Sequence, residues 1–192
     1  DTDYTTAKAR TITGLDDVAV TIDPDADTAT IAEIFGMEKL TTGLITATVT
    51  AGGVNQGLDH LIDSTSGIGL TNPNNAISVT VNDGGDAGGD TEIQTITAAD
   101  LLTLNSRTTG LITVAVTTIT GSVADLKTAF AANDATADAS TQITGLQADA
   151  VTVTYAAGAD TSISATDLNI LDDATTGLVT FTNATSLTGV GA

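Results

Sequence analysis

The sequence predicts a repeat solenoid in which short parallel β-strands alternate with short α-helices, a β-rich α/β fold. Three observations lead to this prediction. The tetrapeptide Thr-Thr-Gly-Leu recurs every 67 residues, apolar residues alternate with polar ones after each copy, and a helix-start signature precedes it. The three copies are Thr41–Leu44, Thr108–Leu111 and Thr175–Leu178.

The strands are predicted from period-two alternation in Thr- and Val-rich segments. A second signature, Ile-Thr-Gly-Leu, occurs before the first Thr-Thr-Gly-Leu copy at Ile12–Leu15 and between the second and third copies at Ile143–Leu146, and alternation follows it as well. Strands that alternate with helices favour right-handed crossovers and a parallel sheet. The alternating apolar sets are Ile45, Ala47, Val49; Ile112, Val114, Val116; Val179, Phe181; Val18, Val20, Ile22; and Val151, Val153, Tyr155.

The helix starts are predicted from four capping boxes, in which Ser or Thr is followed three residues later by an acid and then by an apolar residue. The hydroxyl is expected to accept a hydrogen bond from the amide of the acid, and the acid to reach back to the cap amide. The helices that follow should be only two or three turns long. The four pairs are Thr30 with Glu33, Thr97 with Asp100, Ser122 with Asp125, and Ser164 with Asp167.

The repeat frames run over residues 1–44, 45–111, 112–178 and 179–192, so the first and last frames are permuted parts of one repeat. Reading the C-terminus into the N-terminus places Ala192 and Asp1 on Ala124 and Asp125 of the intact copy. The chain is therefore either a window from a longer array or a subunit continued head-to-tail by the next copy. A string of three small β-rich domains is the alternative fold.

Composition excludes several functions. Acids outnumber bases 24 to 5, giving a formal charge of −19, so nucleic acid and anionic membranes are poor partners. Cysteine is absent and His60 is the only histidine, which excludes thiolate chemistry and histidine-based metal sites. No apolar run is long enough to insert into a membrane. Candidate acids recur in the repeat register or lie in turns, so we expect no enzyme.

Calcium is the cofactor that the aspartates suggest, since this cation takes oxygen ligands from loops. Asn82–Asp90 reads NDGGDAGGD and offers the carboxylates of Asp83, Asp86 and Asp90. A second candidate is the DxDxD spacing of Asp23, Asp25 and Asp27, although the glycine and closing glutamate of an EF-hand loop are missing. Solvated flexible loops are the alternative interpretation of both stretches.

The combination of alternating Val/Thr strands, Ala-Thr-Asp-Leu-Asn-x-Leu-Asp, Thr-Thr-Gly, Ile-Thr-Gly and Val-Ala-Asp-Leu resembles tandem repeats of giant secreted surface proteins of marine bacteria, cyanobacteria included. Such proteins belong to the neighbourhood of RTX-like, hemolysin-type calcium-binding proteins. The resemblance covers nearly all of the chain and implies an extracellular structural or adhesive protein. It supplies no active site.

Three functions from different classes follow. The leading expectation is a structural extracellular protein that forms or belongs to a surface filament, stalk or layer through end-to-end continuation of its repeats. The alternative is an adhesin-type module that binds glycan or another surface through Thr and Asp faces. A polysaccharide-active enzyme that uses paired carboxylates is the third and least favoured function.

Overall fold

The computed structural model describes residues 16–22, 31–51, 62, 73–82, 95–133, 143–154 and 162–189. These contain short strands, four α-helices and the single 3₁₀ turn Leu146–Ala148. The helices are α1 (Ile31–Glu38), α2 (Ala98–Asn105), α3 (Val123–Ala132) and α4 (Ala165–Ala174). The strands are β1 (Val20–Thr21), β2 (Ile45–Ala51), β3 (Ala76–Asn82), β4 (Thr95–Thr97), β5 (Ile112–Ala115), β6 (Thr118–Gly121), β7 (Ile143–Thr144), β8 (Ala150–Thr154), β9 (Ser162–Ser164), β10 (Val179–Thr182) and β11 (Ser186–Thr188).

The strands form three sheets, and every strand pair in them is parallel. The first sheet has the order β1-β2-β3-β5-β7, the second β10-β8-β6-β4, and the third pairs β11 with β9. Apolar positions stand opposite one another in the register, as Val49 does with Val79 and Val79 with Ile112. Parallel pairing requires the chain to cross back between strands, and helices occupy several of these crossovers.

The pairing arranges the described strands in six successive strand layers. In chain order these layers are β1; β2; β3 with β4; β5 with β6; β7, β8 and β9; and β10 with β11. Each layer pairs only with the layer before it and the layer after it. The layer of β1 is the first in this order, and the layer of β10 and β11 is the last. The two ends of the order therefore carry strands with one neighbour.

The core lies between the strands and the helices. On the strands of the interior layers, the residues of one face are buried, such as Ile45, Val79, Ile112 and Val151, while the Thr residues between them are partly or fully exposed. Helix α2 packs on α3, and α3 packs on α4. Each fully buried Val, Leu or Ile contributes roughly 1.5–3 kcal/mol to folding, which compensates for the scarcity of aromatic residues.

The parallel sheets with interspersed helices confirm the β-rich α/β class that the sequence predicts. The outer face departs from the usual parallel sheet, which is covered on both sides. Here threonine supplies a side chain that suits a strand and still leaves a hydroxyl for water. The alternation of Val and Thr is consistent with this half-exposed sheet.

Candidate functional site

The three Thr-Thr-Gly segments make the same set of contacts with the preceding strand layer, which we call the Thr-Thr-Gly contact. It comprises Thr41–Gly43, Thr108–Gly110 and Thr175–Gly177. The first threonine of each segment is buried. Its hydroxyl donates to a backbone carbonyl at 2.7 Å and accepts the glycine N–H of its own segment at 2.9 Å. The accepting carbonyls belong to Val18, Ile77 and Asp149.

The second threonine adds two more hydrogen bonds to the same neighbouring layer. Its backbone N–H and its hydroxyl both donate to one carbonyl, which belongs to Asp16, Asn75 or Gln147 in the three copies. The glycine allows this close approach, because a Cβ atom at Gly43, Gly110 or Gly177 would collide with the backbone carbonyl of Val18, Ile77 or Asp149. Each segment thus fastens one layer to the next through backbone atoms.

The middle copy has an additional buried network. The Thr108 hydroxyl also accepts the Ile77 N–H at 2.9 Å. Asn75 is fully buried; its Oδ1 accepts the Ile45 N–H and its Nδ2 donates to Glu38 Oε1, both at 2.9 Å. The side chains of Thr108 and Asn75 thus accept the backbone N–H groups of Ile77 and Ile45, which have no partner in the strand ladder. Burying such an N–H without a partner costs about 1–3 kcal/mol.

Asp149 breaks the pattern in the third copy. The corresponding positions of the first two copies carry Val18 and Ile77, whose carbonyls accept the same threonine hydroxyl. Asp149 is 5 % exposed, and its Oδ2 has no hydrogen-bond partner within the described segments. Burial raises the pKa of the Asp149 carboxyl from 3.8 to about 6.

Three predicted helix caps are present in the described part of the chain. Thr97, Ser122 and Ser164 precede α2, α3 and α4, and each hydroxyl accepts the N–H of the acid three residues later at 3.0–3.1 Å. Thr30 lies outside the described residues, whereas its predicted partner Glu33 is exposed in the first turn of α1.

The acids of these caps have a different partner from the expected one. The carboxylates of Asp100, Asp125 and Asp167 each accept a hydrogen bond from the cap hydroxyl itself, at 2.6–2.8 Å. Aspartate is one methylene shorter than the glutamate of the usual capping box, which accounts for the shorter reach. Asp167 also binds Lys127 of α3 at 2.6 Å, and the hydrogen bonds from Lys127 and Ser164 lower its pKa.

The predicted calcium ligands cannot be placed. Asp23, Asp25, Asp27, Asp83, Asp86 and Asp90 all lie outside the described residues. Within the described segments, no three His, Cys, Asp or Glu residues are grouped so that they could hold a metal ion. Among the carboxylates that the structure does describe, those of Asp100, Asp125 and Asp167 occupy helix caps and that of Asp149 is buried.

The end of the strand order carries an exposed apolar groove. The groove is about 360 Å³ in volume and is lined mainly by Ile163, Leu168, Phe181, Ala184 and Leu187. Leu187 of β11 is 62 % exposed, whereas Ile119, at the same place in β6, is fully buried. The sequence predicts the permuted end but not this groove, because exposure depends on which layer follows.

No helix within the described segments is long and apolar enough to cross a membrane. Comparison of the chain with protein-family models, with curated proteins and with solved structures finds no match in any of the three. The Thr-Thr-Gly contacts and the groove are therefore the features that bear on its function.

Proposed function

We propose that the chain is a solenoid of repeats with a structural role, forming or belonging to an extracellular filament, stalk or layer by end-to-end continuation. The observation that carries this proposal is the alternation of two strand types along the layers. One type follows a Thr-Thr-Gly segment, and the other accepts the contacts of the next such segment. Within the described segments, the strand at each end of the alternation has a strand partner on one side only.

The alternation makes the two ends complementary. Strands β2, β5 and β10 follow Thr-Thr-Gly, while the acceptor carbonyls of the three contacts lie beside or within β1, β3 and β8. The order begins with an acceptor strand, β1, and ends with a follower strand, β10. A second copy that places its β1 against β10 continues the order, in the way that β3 continues from β2. Nearest-neighbour burial of this kind is how repeat arrays gain stability.

Charge sets the conditions for this association. A formal charge of −19 makes copies repel one another at low ionic strength, and salt or a divalent cation reduces the repulsion. The proposal keeps Asp23, Asp25, Asp27, Asp83, Asp86 and Asp90 as calcium ligands. It assigns the chain to the cell exterior, where the resembling repeats belong, and includes no catalytic activity.

Sedimentation velocity and electron microscopy of the purified chain, with calcium and with a chelator, test the proposal. The wild type should form extended particles that grow with concentration, and loss of these particles in chelator would support the calcium ligands. A single short species at all concentrations and in both conditions would contradict end-to-end continuation.

A matched pair of edge variants makes this experiment sharper. The N–H groups of Val20 and Ile22 donate to the carbonyls of Leu44 and Thr46, so the N–H of Thr21 points to the other edge of β1, which has no strand partner within the described residues. Thr21→Pro removes that donor, and proline is tolerated at an edge strand. Thr21→Val keeps the donor and the β-branched side chain. Thr21→Pro should remain monomeric while Thr21→Val assembles; equal assembly of both would contradict pairing through β1.

A second candidate function, surface binding, is favoured by a column of threonines on the outer sheet face. Thr120, Thr152 and Thr180 stand opposite one another across three parallel strands. Neighbouring strands lie about 4.8 Å apart, so the column presents hydroxyls at a regular spacing. Co-sedimentation with insoluble polysaccharide tests this function. Binding should be lost in Thr152→Lys and kept in Asp173→Lys, and equal binding of both variants would contradict it.

A further inference from the structure

We infer that the Asp149 carboxyl is a pH-dependent switch: its protonated form keeps the last layer, β10 with β11, docked on the layer of β8, and its ionised form favours release of that layer. The switch itself stands on the third Thr-Thr-Gly contact alone. Its consequence for association rests on the proposed end-to-end continuation, in which β10 receives a second copy.

Asp149 stands where the other two copies of the Thr-Thr-Gly contact carry an apolar residue. Val18, Ile77 and Asp149 each supply the backbone carbonyl that accepts the hydroxyl of the first threonine. Ile77, in the interior, is fully buried, and Asp149 is 5 % exposed. A Cβ atom at Gly177 would collide with the Asp149 carbonyl, so the segment that leads into β10 lies directly against this residue. The third contact thus places a carboxyl group at an apolar position of the repeat.

The buried carboxyl lacks a group that would compensate for a negative charge. Its Oδ2 atom has no hydrogen-bond partner within the described segments. An ionised carboxylate only accepts hydrogen bonds, whereas the protonated form carries an O–H that can also donate one. Burial of an uncompensated charge costs much more free energy than burial of a neutral carboxyl group. The docked layer therefore favours the protonated form of Asp149.

The charged groups on the neighbouring elements are bound elsewhere or lie at the surface. Strand β8 packs against β6, β10 and α3, and neither β6 nor β10 contains a charged residue. On α3, Asp125 accepts a cap hydroxyl and Lys127 pairs with the next helix. Asp172 and Asp173, which precede the third Thr-Thr-Gly segment in α4, are exposed. Burial, rather than a neighbouring charge, raises the pKa of the Asp149 carboxyl to about 6.

The last layer is the part of the fold that ionisation of Asp149 can displace. Within the described segments, β10 pairs only with β8, and β11 only with β9. Val179 and Phe181 of β10 are partly buried, whereas their partners Val151 and Val153 in β8 are fully buried. A segment with little buried apolar surface opens at a lower free-energy cost than the core. Release of this layer exposes the carboxyl to water and relieves the cost of its charge.

The direction of the pH effect follows from the pKa of Asp149 in the two states. The carboxyl has a pKa of about 6 when it is buried by the docked layer, against an ordinary value of 3.8 in water. The open state therefore binds fewer protons than the docked state, and docking weakens as the pH rises from about 3.8 to about 6. In the proposed assembly, acid should accordingly strengthen the end that receives a second copy, because β10 is held in place there.

Hydrogen exchange at three equivalent amides tests the switch in the unassembled chain. The N–H groups of Thr42, Thr109 and Thr176 each donate to the preceding layer in one of the three contacts. After correction for intrinsic exchange rates, protection of the Thr176 N–H should fall at least about tenfold relative to that of the Thr109 N–H between pH 4 and pH 7. Protection factors of the two groups that change in parallel would overturn the inference.

Substitutions at Asp149 separate its titration from general effects of pH. Asp149→Val gives the third contact the residue type of the first, and Asp149→Asn keeps the shape of the side chain. Each folded variant should lose the fall in Thr176 protection. Asp173→Asn removes an exposed carboxylate instead and should retain the fall. A fall that persists in the Asp149 variants would overturn the inference.

Sedimentation velocity at pH 5 and pH 7.5 distinguishes the switch from the proposed function. The increase in general charge repulsion with pH is common to the wild type and Asp149→Val. The concentration for half-assembly should nevertheless rise more in the wild type, by up to about tenfold. Equal shifts in the two chains would overturn the consequence for association. Absence of assembly in both chains would contradict end-to-end continuation, and the Thr176 N–H would then decide the switch by itself.

Discussion

The interior of the strand order and its C-terminal end carry the same sequence motif in different surroundings. In the interior, α3 covers α2 and β6, and both Leu101 and Ile119 are fully buried. At the end, α4 and β11 repeat the cap, the apolar position and the strand, yet Leu168 and Leu187 face the groove. The sequence motif determines the helix and strand of each layer. The apolar side chains of that layer become fully buried only where the next layer covers them.

This difference teaches where stability and association come from in the chain. The Thr-Thr-Gly contact between layers is kept up to the last layer, since the Thr175 hydroxyl donates to a backbone carbonyl as those of Thr41 and Thr108 do. The incomplete part is apolar cover, which is the main favourable contribution to protein association. A change in the interior should therefore cost more stability than the same change at the end.

The largest effect is expected for Gly110→Ala. The new Cβ would collide with the backbone of Ile77, and the layers on both sides must separate to accommodate it. Overpacking of this kind should lower the free energy of unfolding by about 3 kcal/mol or more. Gly177→Ala makes the same clash at the last layer, where fraying of β10 relieves it. Urea unfolding followed by circular dichroism should show a much larger shift of the midpoint for Gly110→Ala.

The control for the glycine pair is Gly36→Ala in α1. A Cβ atom at Gly36 meets nothing within 4 Å, and alanine favours a helix over glycine by about 1 kcal/mol. This variant should be more stable than the wild type. Equal urea midpoints for Gly110→Ala and Gly177→Ala would show that the last layer is as constrained as the interior. That result would contradict the difference between the two regions.

A somewhat smaller loss is expected for Thr108→Val. Valine keeps the shape of threonine but removes the hydroxyl that accepts the N–H groups of Ile77 and Gly110, which are then buried without a partner. The expected loss is about 2–3 kcal/mol of unfolding free energy. Thr175→Val at the last layer removes only one accepted N–H and should cost less. Midpoints in urea give both values; a larger loss in Thr175→Val would contradict the account.

Asp149→Asn should stabilise the protein at neutral pH. The carboxyl has a pKa of about 6 when folded, against 3.8 when it is unpaired and solvated, so the unfolded state releases its proton more readily. The wild type therefore loses stability as the pH rises from about 3.8 to 6, and the loss remains at higher pH. Asparagine removes the cost of the buried charge but leaves one buried polar atom unpaired. The net gain in unfolding free energy at pH 7 should therefore be about 1–2 kcal/mol.

The measurement for Asp149→Asn is the difference in urea midpoint between variant and wild type at pH 4 and at pH 7. The difference should be small at pH 4 and should favour the variant at pH 7. Asp173→Asn, on the exposed part of α4, serves as the control for the loss of one carboxylate at the surface. A variant that is less stable than the wild type at pH 7 would show that the Asp149 carboxylate has a stabilising partner.

The smallest effect on stability is expected for Lys127→Met. The substitution removes the pair between α3 and α4, which is partly exposed and therefore contributes little. The pKa of Asp167 should rise towards its ordinary value, because the hydrogen bond from Lys127 is the largest cause of its depression. Carboxyl chemical shifts followed against pH measure this rise. An unchanged pKa would assign the depression to Ser164 instead.

Local structure was predictable where the signal lies within a few residues. The three described capping boxes start helices, and alternation after Ile45, Val151 and Val179 coincides with strands. Both signals depend on spacing alone. Parallel pairing also followed from the order of strands and helices. The partner of each cap acid was not predicted, because it depends on the length of the aspartate side chain.

The Thr-Thr-Gly contact required the structure, because Thr108 binds residues more than 30 positions away. The signal in the sequence was that the tripeptide Thr-Thr-Gly is identical in all three copies, whereas the strands that follow it differ in sequence. Asp149 also had a signal, since alignment of the two Ile-Thr-Gly-Leu signatures places it on Val18. A carboxylate in an apolar repeat position indicates a buried charge. The groove had no such signal, since Leu187 resembles its interior counterparts.

The axial repeat of the assembled chain tests the central claim most directly. The six strand layers of the described segments, spaced by about 4.8 Å, give about 29 Å for each copy if β1 of one copy continues from β10 of another. Electron cryo-microscopy of the filaments should show this rise per subunit, with strands perpendicular to the long axis. A clearly different rise, or strands parallel to the axis, would contradict continuation of the strand order from copy to copy.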